Sequence, residues 1–148
     1  MTEQTLKKVR SVLLYIAFIT ISLLVSYLLA YPAGYAPLGY EVISKQEETV
    51  KIQPYNTWGI EKEPITFQPV EGEEWEMERL VDLIEKQDMW YLLFFASCFI
   101  AFYSVAKDLW KGDNLQKVAW KTLFVVLFPA ISLVQHLHDI QEILKNSL

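Results

Sequence analysis

The sequence predicts an all-α membrane protein with three transmembrane helices, the second and third forming an αα-hairpin, and a small extracytoplasmic segment that contains a short β-hairpin. Three observations carry this. Uncharged apolar runs are separated by polar segments, lysines gather in two of those segments, and one compact stop-and-start signal joins the second run to the third. The chain has 148 residues, of which 53% are hydrophobic. That length allows one domain, but such segregation of apolar residues does not suit an ordinary soluble fold.

Residues 1–11 form a cytoplasmic N-terminus with Lys7, Lys8 and Arg10 against Glu3. The first span, 12–31, has twenty residues without a charge. A helix of that length crosses about 30 Å of hydrocarbon. The run is longer than the apolar core of a signal peptide, and no small-residue cleavage site follows comfortably, so an uncleaved span is expected. Ser22, Ser26 and Ala30 lie along it at helical spacing, as do Ser97, Ala101 and Ser104 along the second span, and small residues let helices approach closely in lipid.

Residues 32–72 are the extracytoplasmic loop. Five of the six prolines fall between positions 32 and 69, and YPAGYAPLGY is a turn-rich exit that stops the first helix. GYEVISKQEETVKIQPY alternates as two strands about an SKQEE connection, and PITFQPV suits an edge strand because prolines flank it. So small an element buries little apolar surface alone, so it is expected to lean on the membrane helices or on another protein.

From Glu73 the pattern becomes helical. Residues 73–88 form an acidic amphipathic helix whose stripe is Met77, Leu80, Val81 and Ile84, with no breaker before the second span, 89–106. In the cytoplasmic turn, 107–117, Gly112 suits the C′ position and Asp113 the next N-cap, with Gln116 as its reciprocal partner. The third span, 118–135, has only fourteen uncharged residues, Thr122 to Gln135, a length that also suits a surface segment. Trp120 and Lys121 at its start favour a span, since both side chains settle at headgroup depth.

Orientation follows from the lysines. The N-terminal segment and the 107–121 connection hold the dense basic residues, whereas residues 32–88 carry thirteen acidic against five basic side chains. The positive-inside rule therefore places both short segments in the cytoplasm and residues 32–88 outside.

The juxtamembrane tail, 136–148, raises the one question of chemistry. Metal candidates are His136, His138, Asp139 and Glu142. On an unbroken helix the two histidines stand about 200° apart, so the pairs left are His138 with Glu142 and His136 with Asp139, too few donors for a zinc site by themselves. The simpler expectation is a helix with Leu133, Leu137, Ile140 and Leu144 on its apolar stripe and the polar residues wet. Its stripe should meet Leu80 and Ile84 above the bilayer.

No GxSxG elbow, HExxH helix or glycine-rich phosphate loop is present, and no charge lies mid-span. The lone Cys98 permits no intrachain disulfide. The acidic loop argues against nucleic acid as a partner. The functional expectation is a non-enzymatic accessory, regulatory or protective subunit, without a cofactor, whose partners are the lipid bilayer and another membrane protein. The alternative is a metal-dependent membrane enzyme or transport component built on the four tail residues.

Overall fold

The computed structural model describes residues 2–147, so the outermost residue of segment 1–11 and of tail 136–148 lies outside the described residues. The protein is mostly helical, in the order α1 (Glu3–Ala30), β1 (Tyr40–Lys45), β2 (Val50–Pro54), β3 (Ile65–Phe67), α2 (Glu74–Trp110) and α3 (Leu115–Asn146). All three helices are long and apolar enough to cross a membrane. Helix α1 starts within the basic segment, where Thr2 caps the backbone N–H of Thr5. Helix α2 runs unbroken through the acidic amphipathic stretch and the second apolar run. Helix α3 continues past Pro129, which removes one intrahelical donor, and through both histidines.

The α2–α3 turn differs from the sequence expectation by one residue. Gly112, at φ +83°, occupies C′ and donates to Leu109, while Asp113 N–H donates back to the Asp108 carbonyl at 3.1 Å. This is a Schellman arrangement, and it commits Asp113 to closing α2. The N-cap of α3 is therefore Asn114, whose extended backbone lets Oδ1 accept from Gln116 N–H at 3.1 Å.

The strands form an antiparallel sheet in the order β1-β2-β3. A register shift between Val42 and Ser44 leaves Ile43 as an exposed bulge on β1. Gln53 departs from simple alternation. It is buried, and its amide donates to the carbonyls of Pro54 and Lys62, tying β2 to the segment that leads to β3.

One core joins the sheet to the helices. Val50, Ile52 and Phe67 from the sheet pack with Met77, Leu80 and Ile84 of α2 and Ile140, Ile143 and Leu144 of α3, with Val81 and Leu137 at its edge. Leu80 and Ile140 are fully buried. The small sheet thus leans on the ends of α2 and α3 beyond their apolar runs. A second cluster, Ala30, Ala36, Tyr91 and Leu133, gathers the three helices just below it. Farther along, α1 packs on α2, with Phe18 stacked on Tyr103 at 4.1 Å between ring centroids and Lys107 over the Tyr15 ring.

Outside these contacts many of the large apolar residues of the long helices face outward. Phe102, Phe124 and Phe128 are each more than 65% exposed. Truncation should separate the two environments. Ile140→Ala, in the shared core, is expected to cost about 2–5 kcal/mol, whereas Phe128→Ala, on the outward face, should change stability little. Unfolding of each variant in detergent, followed by circular dichroism against denaturant, measures the difference.

Candidate functional site

The head, formed by the sheet and the outer ends of α2 and α3, presents three concave surfaces. At its apex the β1–β2 turn, closed by Gln46 N–H to the Thr49 carbonyl at 2.8 Å, faces the turn before α2, where Gly72 sits at φ +92°. Glu47 and Glu48 from the first turn and Glu71 and Glu74 from the second surround a cavity of about 180 Å³ that also reaches Met77. None of these four carboxylates has an ion-pair partner among the described residues, where the salt bridges are Lys86–Asp82 and Lys121–Asp108. Glu74 gains from the positive end of the α2 dipole. Glu47 and Glu48, on a different element, are not explained that way. Beside them Val70 and Trp75 are both more than half exposed.

At the base of the head lies a cavity of about 290 Å³ lined by Tyr31, Tyr40, Tyr55, Glu41, Glu85 and Asp88, among others. Gln87 fixes one wall. Its Oε1 accepts from Tyr40 N–H at 3.1 Å and its Nε2 donates to the Tyr40 carbonyl, so the amide satisfies the free edge of β1 as a neighbouring strand would. Tyr55 donates its hydroxyl proton to Glu41. Partial burial, this hydrogen bond and the charges of Glu41 and Glu61 together push the Tyr55 phenol up to about 12. Burial likewise raises Tyr40.

The third surface holds His138, with Leu38, Tyr40, Tyr55, Lys62 and Gln141 among its neighbours in a cavity of about 300 Å³. The unbroken α3 helix separates the tail candidates. His138, Asp139 and Glu142 are exposed, whereas His136 turns toward α2, near the Trp90 ring, with Nε2 at 2.6 Å from the Leu83 carbonyl oxygen. A carbonyl only accepts, so Nε2 carries the proton in this contact. His136 is therefore a link between α2 and α3 rather than one of the wet residues that the sequence suggested. Among the described residues, no group of three or more His, Cys, Asp or Glu side chains is placed to hold a metal ion.

The packing candidates divide into groups. Leu80, Ile84, Ile140 and Leu144 are buried together, with Leu137 against them. Ser22, Ser26 and Ala30 are buried along α1, Ser97 and Ala101 along α2, and Ser104 is half-buried. Ser26 bonds back to the Ser22 carbonyl at 2.6 Å, while Ser22 Oγ has no hydrogen-bond partner among the described residues. Sequence reasoning missed Gln87 and Tyr91 as structural ties, although the signal was present. Both fall in register with Met77, Leu80 and Ile84, and a polar group on an apolar stripe calls for a buried partner. For Tyr91 that partner is the Pro37 carbonyl, at 2.5 Å.

Comparison with protein-family models, with curated proteins and with solved structures finds no match for the chain.

The Tyr55 environment gives a pH signature. Its folded-state value lies above the ordinary tyrosine value near 10, so the neutral phenol favours the folded state. This contribution is complete below pH 10 and is lost as the pH rises from 10 to about 12. The tyrosinate absorbance of the protein minus that of Tyr55→Phe should show one group ionising near the upper limit. In Glu41→Gln the midpoint should fall yet stay above the ordinary value, because burial is the largest cause.

Proposed function

We propose that the chain is a non-enzymatic, multi-pass integral membrane protein that acts as an accessory subunit, holding a rigid acidic head outside the membrane for recognition by a basic segment of another membrane protein. Insertion is supported by the outward-facing apolar side chains of three long helices, an inversion of the distribution in a water-soluble fold. Lysine placement supports the orientation, with residues 32–88 extracytoplasmic and the Gly112 turn in the cytoplasm.

The observation that carries the recognition role is the apical crown. Four glutamates from the β1–β2 turn and the start of α2 converge without an ion-pair partner among the described residues, beside exposed Val70 and Trp75. Like charges held together without a function cost stability, and a cationic partner relieves that repulsion. An apolar contact flanked by such charges gives a patch both affinity and orientation. The head's need for apolar cover is met within the chain by α2 and α3, so the partner is argued from charge and exposed aromatic surface rather than from an incomplete core.

Two experiments test this reading. In a Cys98→Ala background, single cysteines at Thr5, Lys45 and Asn114 should react with an impermeant maleimide from outside only at position 45. Reaction at 5 or 114 instead would reverse the orientation. Affinity purification from native membranes in mild detergent should then recover a membrane protein that is lost when Glu47, Glu48, Glu71 and Glu74 are all changed to Gln, and weakened by salt because exposed charges are screened. A partner retained by the quadruple variant would remove the crown from the proposal.

A further inference from the structure

The chain between β2 and β3 leads back toward the apolar part of the molecule. Three rungs, one helical turn apart on α2, mark its descent. On the first, Pro54 pairs with Tyr40, whose backbone is held by Gln87. On the second, Tyr55 N–H donates to the Gly39 carbonyl at 3.0 Å, and Gly39 lies so close to Tyr91 that an added Cβ would be 3.0 Å from the phenol oxygen. On the third, Gly59 rests on Tyr35, where an added Cβ would come within 2.8 Å of the ring, and the Tyr35 ring stacks on Phe95 at 6.0 Å. Between residues 87 and 95 the helix advances about 12 Å. Asp88 is the last charged residue before the uncharged run from Met89 to Ala106. The loop tip therefore sits beside the start of the second apolar run and not at the apex of the head.

Its composition and bonding suit that depth. No charge occurs from Pro54 to Ile60, whereas Glu61, Lys62 and Glu63 follow at once. Asn56 organises the tip from within. Its Oδ1 accepts from Trp58 N–H at 2.8 Å and Ile60 N–H at 3.0 Å, its own N–H donates to the Ile60 carbonyl, and its carbonyl accepts from Gly59 and Leu38. Backbone groups paired in this way enter a poorly hydrated region at less cost. Trp58 is 76% exposed and Ile60 61%, so the two largest apolar side chains of the tip face away from the protein.

We infer that the Asn56–Ile60 tip is an interfacial membrane anchor, placing Trp58 and Ile60 at the headgroup–acyl boundary of the leaflet on the side of the head. This rests on the reading of α1, α2 and α3 as membrane spans. The occupant is lipid because the tip is continuous with the apolar band that begins at Met89, and because a tryptophan at that boundary keeps its ring in the acyl region and its indole N–H in the headgroups. The tip thereby fixes the height and tilt of the head and holds the acidic crown away from the lipid surface.

Nitroxide labels on single cysteines test the inference in phosphatidylcholine vesicles, in the Cys98→Ala background. Trp58→Cys places the label at the tip, Thr57→Cys does so with Trp58 retained, Lys45→Cys reports the aqueous apex and Phe128→Cys the outward face of α3. Oxygen collisions should exceed those of a water-soluble nickel chelate at 57, 58 and 128, with the order reversed at 45. If 128 behaves as lipid-exposed while both tip positions favour the nickel chelate, the anchor is wrong and the spans stand. Tip labels shielded from both reagents would show protein covering the loop and would also overturn it. A water-like label at 128 would defeat the membrane reading and the anchor with it.

Discussion

The head depends on α2 and α3 running on beyond their apolar stretches, so that two stripes meet where water makes their burial favourable. Within lipid, packing two apolar faces gains little because the acyl chains are as apolar as the side chains. In the proposed membrane placement the head stands above the lipid, and there the same contact removes surface from water, at about 25 cal/mol per Å². Leu80 and Ile140, both at 0% exposure, mark the centre of that contact. Three short strands cannot supply such a core by themselves, and Val50, Ile52 and Phe67 complete theirs only by resting on it.

Polar ties then concentrate where the apolar runs meet the head. Gln87 closes the edge of β1, Tyr91 holds the Pro37 carbonyl, and His136 reaches the Leu83 carbonyl. Each joins parts of the chain far apart in sequence, and each uses a side chain that lies on or beside an apolar stripe. Leaving such groups unpaired away from water is costly, so these contacts specify one arrangement of head on helices rather than merely adding to its stability. The exit from α1, the sheet and the base of the head are thereby fixed to one another, which is what allows the crown and the loop tip to hold defined positions relative to the long helices.

Much of the architecture was legible because long apolar helices and their ends depend on local composition. The apolar runs, the Gly112 stop and the alternation about SKQEE all act over a few residues. The cap moved from Asp113 to Asn114 because closing α2 engages the backbone of Asp113, a competition visible only when both helix ends are built together. His136 was misassigned to water because its partner, the Leu83 carbonyl, is a backbone group with no sequence signature. The apical crown was legible only as excess acid. Its convergence required knowing that the β1–β2 turn folds over the start of α2.

The central claim, that the sheet stands only on the outer ends of α2 and α3, is tested most directly by amide hydrogen exchange on the protein truncated after Gln135. The truncated chain keeps all three apolar runs but loses Ile140, Ile143 and Leu144 from the shared core. Protection of the β2 amides, Val50 to Gln53, should collapse while that of residues 93–105 in α2 persists. Unchanged protection of β2 would mean that the sheet is stable without α3, and would contradict the account.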